Sequence, residues 1–283
     1  MSQSISSSIA RGADFTWLLN IARDGSTRDL VEEIKFLNER FLSEGYLEAS
    51  EEEIHLLLDK YDIFVGKKDI LRAMKDYTEI FRENLHMLHQ NFWAEDAKIV
   101  VDLGANFGFF TLKVKQNSPD VKIISVEPNV YAFDLLVKNV SQNRLKNIYP
   151  VNKAIAGQDD FLNIYSIVNA SALSGKYPPK SSAEKYSWIR DEMLSVASVE
   201  GITLGHLFEE YNLNHVDLLK IDVQGMELEI ITAAVDLLDK VSRIVVEPHS
   251  VESREKLTQI LTQIGFNLVL DEGIEYGDLY FER

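Results

Sequence analysis

Three segments of this chain place reactive side chains where a strand would end. The first is Val100-Val101-Asp102-Leu103-Gly104-Ala105-Asn106-Phe107-Gly108, an apolar run that passes through D-x-G-x-x-x-G into a stretch with helical spacing. Glycine at 104 permits a tight turn and close approach of the backbone to a ligand, and glycine at 108 lets the following helix start near the strand. The second is Glu127-Pro128-Asn129, after Val121 to Val126. An acidic tip about 20 residues beyond a glycine loop is placed to accept both hydroxyls of a ribose. The spacing departs from the G-x-G-x-x-G of dinucleotide sites, and Asp102 would repel a pyrophosphate at the helix N-terminus. An adenosyl group bearing an ammonium and a sulfonium suits the pair better; a nicotinamide-dependent oxidoreductase is the alternative.

The third segment is Lys220-Ile221-Asp222, followed by Glu227 and, one predicted strand later, by Glu247-Pro248-His249. Lys220 and Asp222 are two apart, so on a strand they point to one side. Burying either charge alone costs several kcal/mol, so they are either a mutual pair or functional. Glu227 falls on the first turn of a helix, where a carboxylate is also stabilised by the helix dipole. Asp222, Glu247 and His249 are candidate ligands for a divalent cation, the less favoured reading because no spacing fixes a geometry; the other is His249 as general base. His86 and His89 read as packing or surface residues, and Tyr177, Tyr186 and Trp188 as a cover for an acceptor or as ordinary packing.

Parallel strands must hold these residues at one edge. From Lys98 onward short β-branched runs alternate with helical stretches, as in Ile99–Val101, Ile123–Val126, Val216–Ile221 and Arg243–Val246, the mark of a parallel sheet covered on both faces. Gly265 to Leu270 and Leu279 to Phe281 read as a closing antiparallel hairpin, and Asn169 to Glu200, rich in Ser, Pro and Gly, as a long loop or insertion. Residues 1–95 read as a helical N-terminal region serving as cap, acceptor wall or dimer surface, and 96–283 as the catalytic domain. Helical spacing is carried by Leu30, Ile34, Leu37 and Phe41 and by Ile70, Met74, Tyr77, Ile80 and Phe81, and a capping box by Ser50 to Glu53 ahead of Ile54 to Leu58.

Composition closes off other classes. The 283 residues carry 29 Lys+Arg against 45 Asp+Glu, a net charge of −16, and no basic patch that would overcome this field at a nucleic acid. With no cysteine there are no disulfides, thiolate nucleophiles or Cys-ligated metals. No leader-like start and no long apolar run is present, so the reading is a soluble cytoplasmic protein without a membrane span.

From about Lys98 to Asn267 the chain resembles the FkbM family of S-adenosylmethionine-dependent methyltransferases. The resemblance rests on VVDLGANFGFF, VEPN followed by LLVKNVSQN, VNKAIAG, ITLGHLFEEYNLNHVDLLKIDVQGMELEIITAA and IVVEPHS. It implies a Rossmann-like class I fold, a mostly parallel seven-stranded sheet with an antiparallel last strand. It also implies that Asp102, Gly104, Ala105, Asn106 and Gly108 contact the methionine end of the donor. Glu127 would take the ribose hydroxyls, and Ala154 and Ile155 would lie near the adenine. The implied reaction is O-methylation of a hydroxyl on a small molecule or glycan, which needs alignment, exclusion of water and a route for the proton. Gln224 stands where the family usually has Glu, and His206 where it usually has Asp. A catalytically silent module that keeps the donor is the remaining alternative.

Overall fold

The computed structural model describes residues 46–49, 53–58, 60–66, 69–167, 170–176, 194–273 and 277–283. Its centre is a sheet built from β4 (Ile99–Leu103), β5 (Lys122–Val126), β6 (Ile148–Val151), β11 (Leu218–Ile221), β12 (Arg243–Val246), β13 (Asn267–Asp271) and β14 (Leu279–Glu282). The order is β13-β14-β12-β11-β4-β5-β6. β6, β5, β4, β11 and β12 run parallel, and β14 enters antiparallel to both β12 and β13. This is the sheet that the resemblance implies, and the expected closing hairpin is its β13–β14 pair.

The strands are apolar nearly throughout because both faces are covered. Val100, Ile123, Leu218 and Val245 join one core, and Val101, Ile124, Leu219 and Ile244 the other. Helices α2 (Phe109–Asn117) and α3 (Val130–Gln142) follow β4 and β5. α4 (Leu204–Glu210) precedes β11, and α5 (Glu227–Ala233) and α6 (Val251–Gln263) follow β11 and β12. Among the described residues no helix is long and apolar enough to cross a membrane.

The N-terminal region is not helical throughout. β1 (Tyr46–Ala49), β2 (Glu53–Leu58) and β3 (Tyr61–Gly66) form an antiparallel sheet, so the expected capping box at Glu53 is instead the start of a strand. A short apolar run carries no decisive period, and pairing with Tyr61–Gly66, whose residues 61, 63 and 65 are buried, decides its conformation. Asn139 of α3 and Asn143, which caps its end, hold the outer strand β3. Asn139 Oδ1 accepts from Phe64 N (2.6 Å) while its Nδ2 donates to Phe64 O (3.1 Å) and to Phe107 O (2.9 Å); Asn143 exchanges the same pair of bonds with Asp62. Helix α1 (Ile70–Phe81) follows as its spacing predicts, with Tyr77 stacked on Phe81 and edge-on to Phe109. Leu30, Ile34, Leu37 and Phe41 lie outside the described residues.

The segment expected to be a long loop holds strands. β9 (Ala170–Gly175) and β10 (Leu194–Ile202) form a second sheet with β7 (Ala154–Ile155) and β8 (Asp160–Ile167), in the order β7-β10-β8-β9. Ser195 to Ser198 are exposed, so they show no buried face that sequence periodicity could reveal. Tyr177, Tyr186 and Trp188 lie outside the described residues.

Candidate active site

Each of the four central strands delivers one element of the site from its carboxyl end: β4 the glycine turn, β5 Glu127, β11 Asp222 and β12 Glu247. A cavity lined by Gly104, Glu127, Asp222 and Glu247 opens over these ends. Gly104, with φ +78°, could carry no side chain, since a Cβ would fall 1.7 Å from the Asp222 carbonyl. Gly104 N and Ala105 N both donate to Val126 O, which fixes the turn against β5. Asn106 and Gln224 adopt left-handed backbone (φ 47° and 57°), each on a turn lining the cavity.

Lys220 and Asp102 face one another across β11 and β4 (Nζ to Oδ1, 3.2 Å), and Lys220 Nζ also donates to Gly104 O (2.8 Å) and Leu103 O (3.2 Å). Burial works against the ammonium, but Asp102 and Asp222 outweigh it and hold its pKa above the usual value. Asp102 is 0% exposed, bonded to Thr111 Oγ1 (2.8 Å), and does not line the cavity. The partner of Lys220 is therefore Asp102 rather than Asp222. Both charges brace the glycine turn, and Asp102, expected at the methionine end of the donor, lies beneath the cavity lining rather than in it. Gly108 lies behind the cavity, against Leu136 of α3.

Gly104, Ala105, Asn106, Glu127, Pro128, Ala154 and Ile155 do line the cavity. Glu127, 6% exposed, accepts from Asn106 N at Oε2 and from Asn129 N at Oε1, each at 2.8 Å. Burial nevertheless pushes its carboxyl up to about 7, so a pair of hydroxyl donors would stabilise the ionised form. Apolar Ala154, Ile155 and Ile164 stand at the same end. These features fit an adenosyl group with its ribose on Glu127. Asn129 has a structural part: its Oδ1 caps α3, and its Nδ2 donates to Ser166 and Ser174.

At the other end Asp222 Oδ1 accepts from Gln224 Nε2 (2.9 Å) and lies 3.8 Å from His249 Nε2. Burial opposes its charge, but Lys220, His249, His86 and Gln224 together lower its pKa. Glu227 is 1% exposed; its Oε1 accepts from Val223 N and Gly225 N and lies 3.0 Å from His249 Nδ1. It shapes the turn after β11 rather than facing the cavity. Burial works against the His249 proton, yet Glu227, Asp222 and Glu247 raise its pKa to about 9, which favours the charged ring over the neutral one that a general base needs.

Sequence reasoning missed the wall contributed from before β4. Arg72, Asp76 and Glu79 of α1 line the cavity, with Arg72 Nε 2.7 Å from Asp76 Oδ1 and Asn106 Nδ2 donating to Asp76. Burial pushes Asp76 up to about 6 against the pull of Arg72. The spacing 72, 76, 79 is one helical face and was the available signal. His86, expected to be a packing residue, lines the cavity too. His206 stands at the start of α4, 2.9 Å from Asp159 and remote from the cavity lining.

The chain matches the methyltransferase FkbM domain over residues 102–269. It is 26% identical over 224 residues to methyltransferase sdnD of Sordaria araneosa, covering 71% of this chain and 85% of that protein. It is 23% identical over 218 residues to the 31-O-demethyl-FK506 methyltransferase FkbM of Streptomyces tacrolimicus, covering 69% and 82%. Among solved structures, TYW2 of P. horikoshii in complex with MeSAdo overlays with a TM-score of 0.44 at 12% identity, covering 91% of this chain and 83% of that one. The domain match sets aside the nicotinamide alternative. It takes in more than half of the sequence, with the glycine turn, Glu127, Asp222 and Glu247 inside it, and the chain belongs to the FkbM family of S-adenosylmethionine-dependent methyltransferases.

Proposed function

We propose that this protein methylates a hydroxyl oxygen on a small molecule or glycan. One observation carries the reading: a single cavity joins Glu127 and its apolar neighbours to Asp222. In this account Ala154 and Ile155 take the adenine and Glu127 the ribose hydroxyls. The backbone of Gly104 to Asn106 takes the methionine end, braced by Lys220 and Asp102. When bound, S-adenosylmethionine supplies an electrophilic methyl carbon on its sulfonium. Phe109, Phe110 and α1 exclude water, which strengthens charge interactions at the reacting atoms. Asp222, oriented by Gln224 and His249, aligns the acceptor hydroxyl and receives its proton as the new O–C bond forms. An oxygen acceptor is also in the name of the relative that methylates 31-O-demethyl-FK506.

The test is calorimetric titration with S-adenosylhomocysteine and NAD, followed by methyl transfer to a panel of hydroxylated, amine-bearing and glycan acceptors. Binding of the first ligand alone and transfer to hydroxyls support the reading. Transfer to nitrogen overturns the oxygen assignment, and tight binding without turnover on any acceptor favours a catalytically silent module.

A further inference from the structure

We propose that the acceptor end of the cavity is a divalent-cation site formed by His86, Asp222 and Glu247, taking a hard ion such as Mg2+ or Mn2+ that also ligates the acceptor oxygen. The proposal rests on the methyl-transfer reading above. Asp222 and Glu247 follow Ile221 and Val246, which are paired in register on adjacent parallel strands, so their carboxylates leave the sheet side by side. His86 reaches them from the segment after α1. One ligand atom from each of the three lies within 4.8 Å of the others, and all three line the cavity.

The imidazole is held as a metal-binding imidazole needs to be. His86 is 3% exposed, and its Nδ1 lies 2.9 and 3.1 Å from the two oxygens of Asp278, a fully buried carboxylate that also accepts from His86 N and Tyr280 OH. With Nδ1 committed, the ring nitrogen left for a ligand is Nε2, and the ion displaces the Nε2 proton that the Asp278 carboxylate favours on the free ring. A carboxylate on the far nitrogen is the arrangement that fixes tautomer and orientation in metal-bound histidines. Two neighbouring carboxylates repel one another, and a divalent ion removes that repulsion. Two oxygens and one nitrogen, with positions left for water and substrate, suit Mg2+ or Mn2+ rather than a thiophilic ion.

A second trio, Asp222, Glu227 and His249, is equally compact. It is disfavoured because Glu227 Oε1 already meets two backbone N–H groups and His249, and neither Glu227 nor His249 lines the cavity. In the favoured site the ion takes one Asp222 oxygen and leaves the other to receive the hydroxyl proton. The O–H and S–C bonds break as the O–C bond forms.

The test uses metal-stripped full-length protein with S-adenosylhomocysteine, titrated with MnCl2 by equilibrium dialysis and electron paramagnetic resonance. The expected result is one Mn2+ per chain, displaced by Mg2+. Glu247→Gln and His86→Ala should each weaken it at least 10-fold, and Asp278→Asn roughly 10- to 100-fold. His249→Ala, which touches the ion only through Asp222, should weaken it less than Glu247→Gln does. The melting transition and S-adenosylhomocysteine affinity report folding, and Glu247→Gln, which removes no buried partner, keeps the test decisive if His86→Ala or Asp278→Asn unfolds. Absence of stoichiometric Mn2+, full affinity in Glu247→Gln, or loss confined to His249→Ala overturns the site. Methyl transfer undiminished by chelator would overturn the cation while leaving the methyltransferase reading intact; no S-adenosylhomocysteine binding would remove both.

Discussion

The end of the cavity proposed for the donor is drawn from residues 104 to 164, whereas the end proposed for the acceptor is collected from residues 86 to 278. Gly104, Ala105, Asn106 and Glu127 belong to β4, β5 and the turns after them, tied by the bond from Asn106 N to Glu127. His86, Asp222, Glu247 and Asp278 come from four separate stretches, and the His86–Asp278 bond spans 192 positions in sequence. Backbone turns over a parallel sheet set the first end; docking of the N-terminal unit and of the β13–β14 hairpin sets the second. Side chains at the acceptor end can therefore change with the substrate while the donor seat stays as it is.

Separating the two ends by mutation should have its largest effect at Asp222. Asp222→Asn should lower turnover by roughly 10²- to 10⁴-fold, the usual contribution of a positioned proton acceptor, with S-adenosylhomocysteine affinity nearly unchanged. Equal losses in both quantities would merge the two ends into one. Lys220→Met acts on the brace instead: it leaves Asp102 buried without its ion-pair partner and should cost about 3–5 kcal/mol of stability by denaturant titration, much of it recovered in Lys220→Met/Asp102→Leu. A single variant as stable as wild type would contradict that role.

Glu127 sharpens the contrast through pH. Burial raises its folded pKa from 4.5 to about 7, so the folded state holds its proton longer than the unfolded chain does. Its stabilising contribution is then full below about 4.5 and lost as pH rises through 7. Ribose binding favours the ionised form, so donor affinity should rise from pH 6 to 8 while ligand-free stability falls. Glu127→Gln should flatten both trends and weaken donor binding by about 1–3 kcal/mol; calorimetry at three pH values shows whether it does. Asn139→Ala should cost a similar or smaller amount, about 1–2 kcal/mol, by orphaning groups of Phe64 and Phe107. His206→Ala, exposed and far from the cavity lining, should stay within about 0.5 kcal/mol and leave turnover unchanged.

The same contrast sets what could be read before the structure. The parallel sheet is legible because strands buried on both faces are almost wholly apolar, and the proposed donor seat because Gly104 and Glu127 follow the ends of the adjacent strands β4 and β5. Glu53 to Leu58 misleads because six residues with four apolar positions have no decisive period until β3 pairs with them. Ser195 to Ser198 misleads because all four residues, apolar Val196 and Ala197 included, are exposed, so no buried alternation marks the strand. Lys220 interrupts an apolar strand, which marks it as paired or functional, but its partner Asp102 lies across the sheet in a register that spacing does not encode. His86 gives no signal, since Asp278, Asp222 and Glu247 are all distant from it in sequence.

The central claim, one cavity with a ribose on Glu127 and an acceptor at Asp222, is tested most directly by a crystal structure with S-adenosylhomocysteine bound. The account predicts both ribose hydroxyls on the Glu127 carboxylate, the adenine beside Ala154 and Ile155, and the sulfur directed toward Asp222. The nucleoside lodged elsewhere, or seated with its sulfur turned away from Asp222, would contradict it.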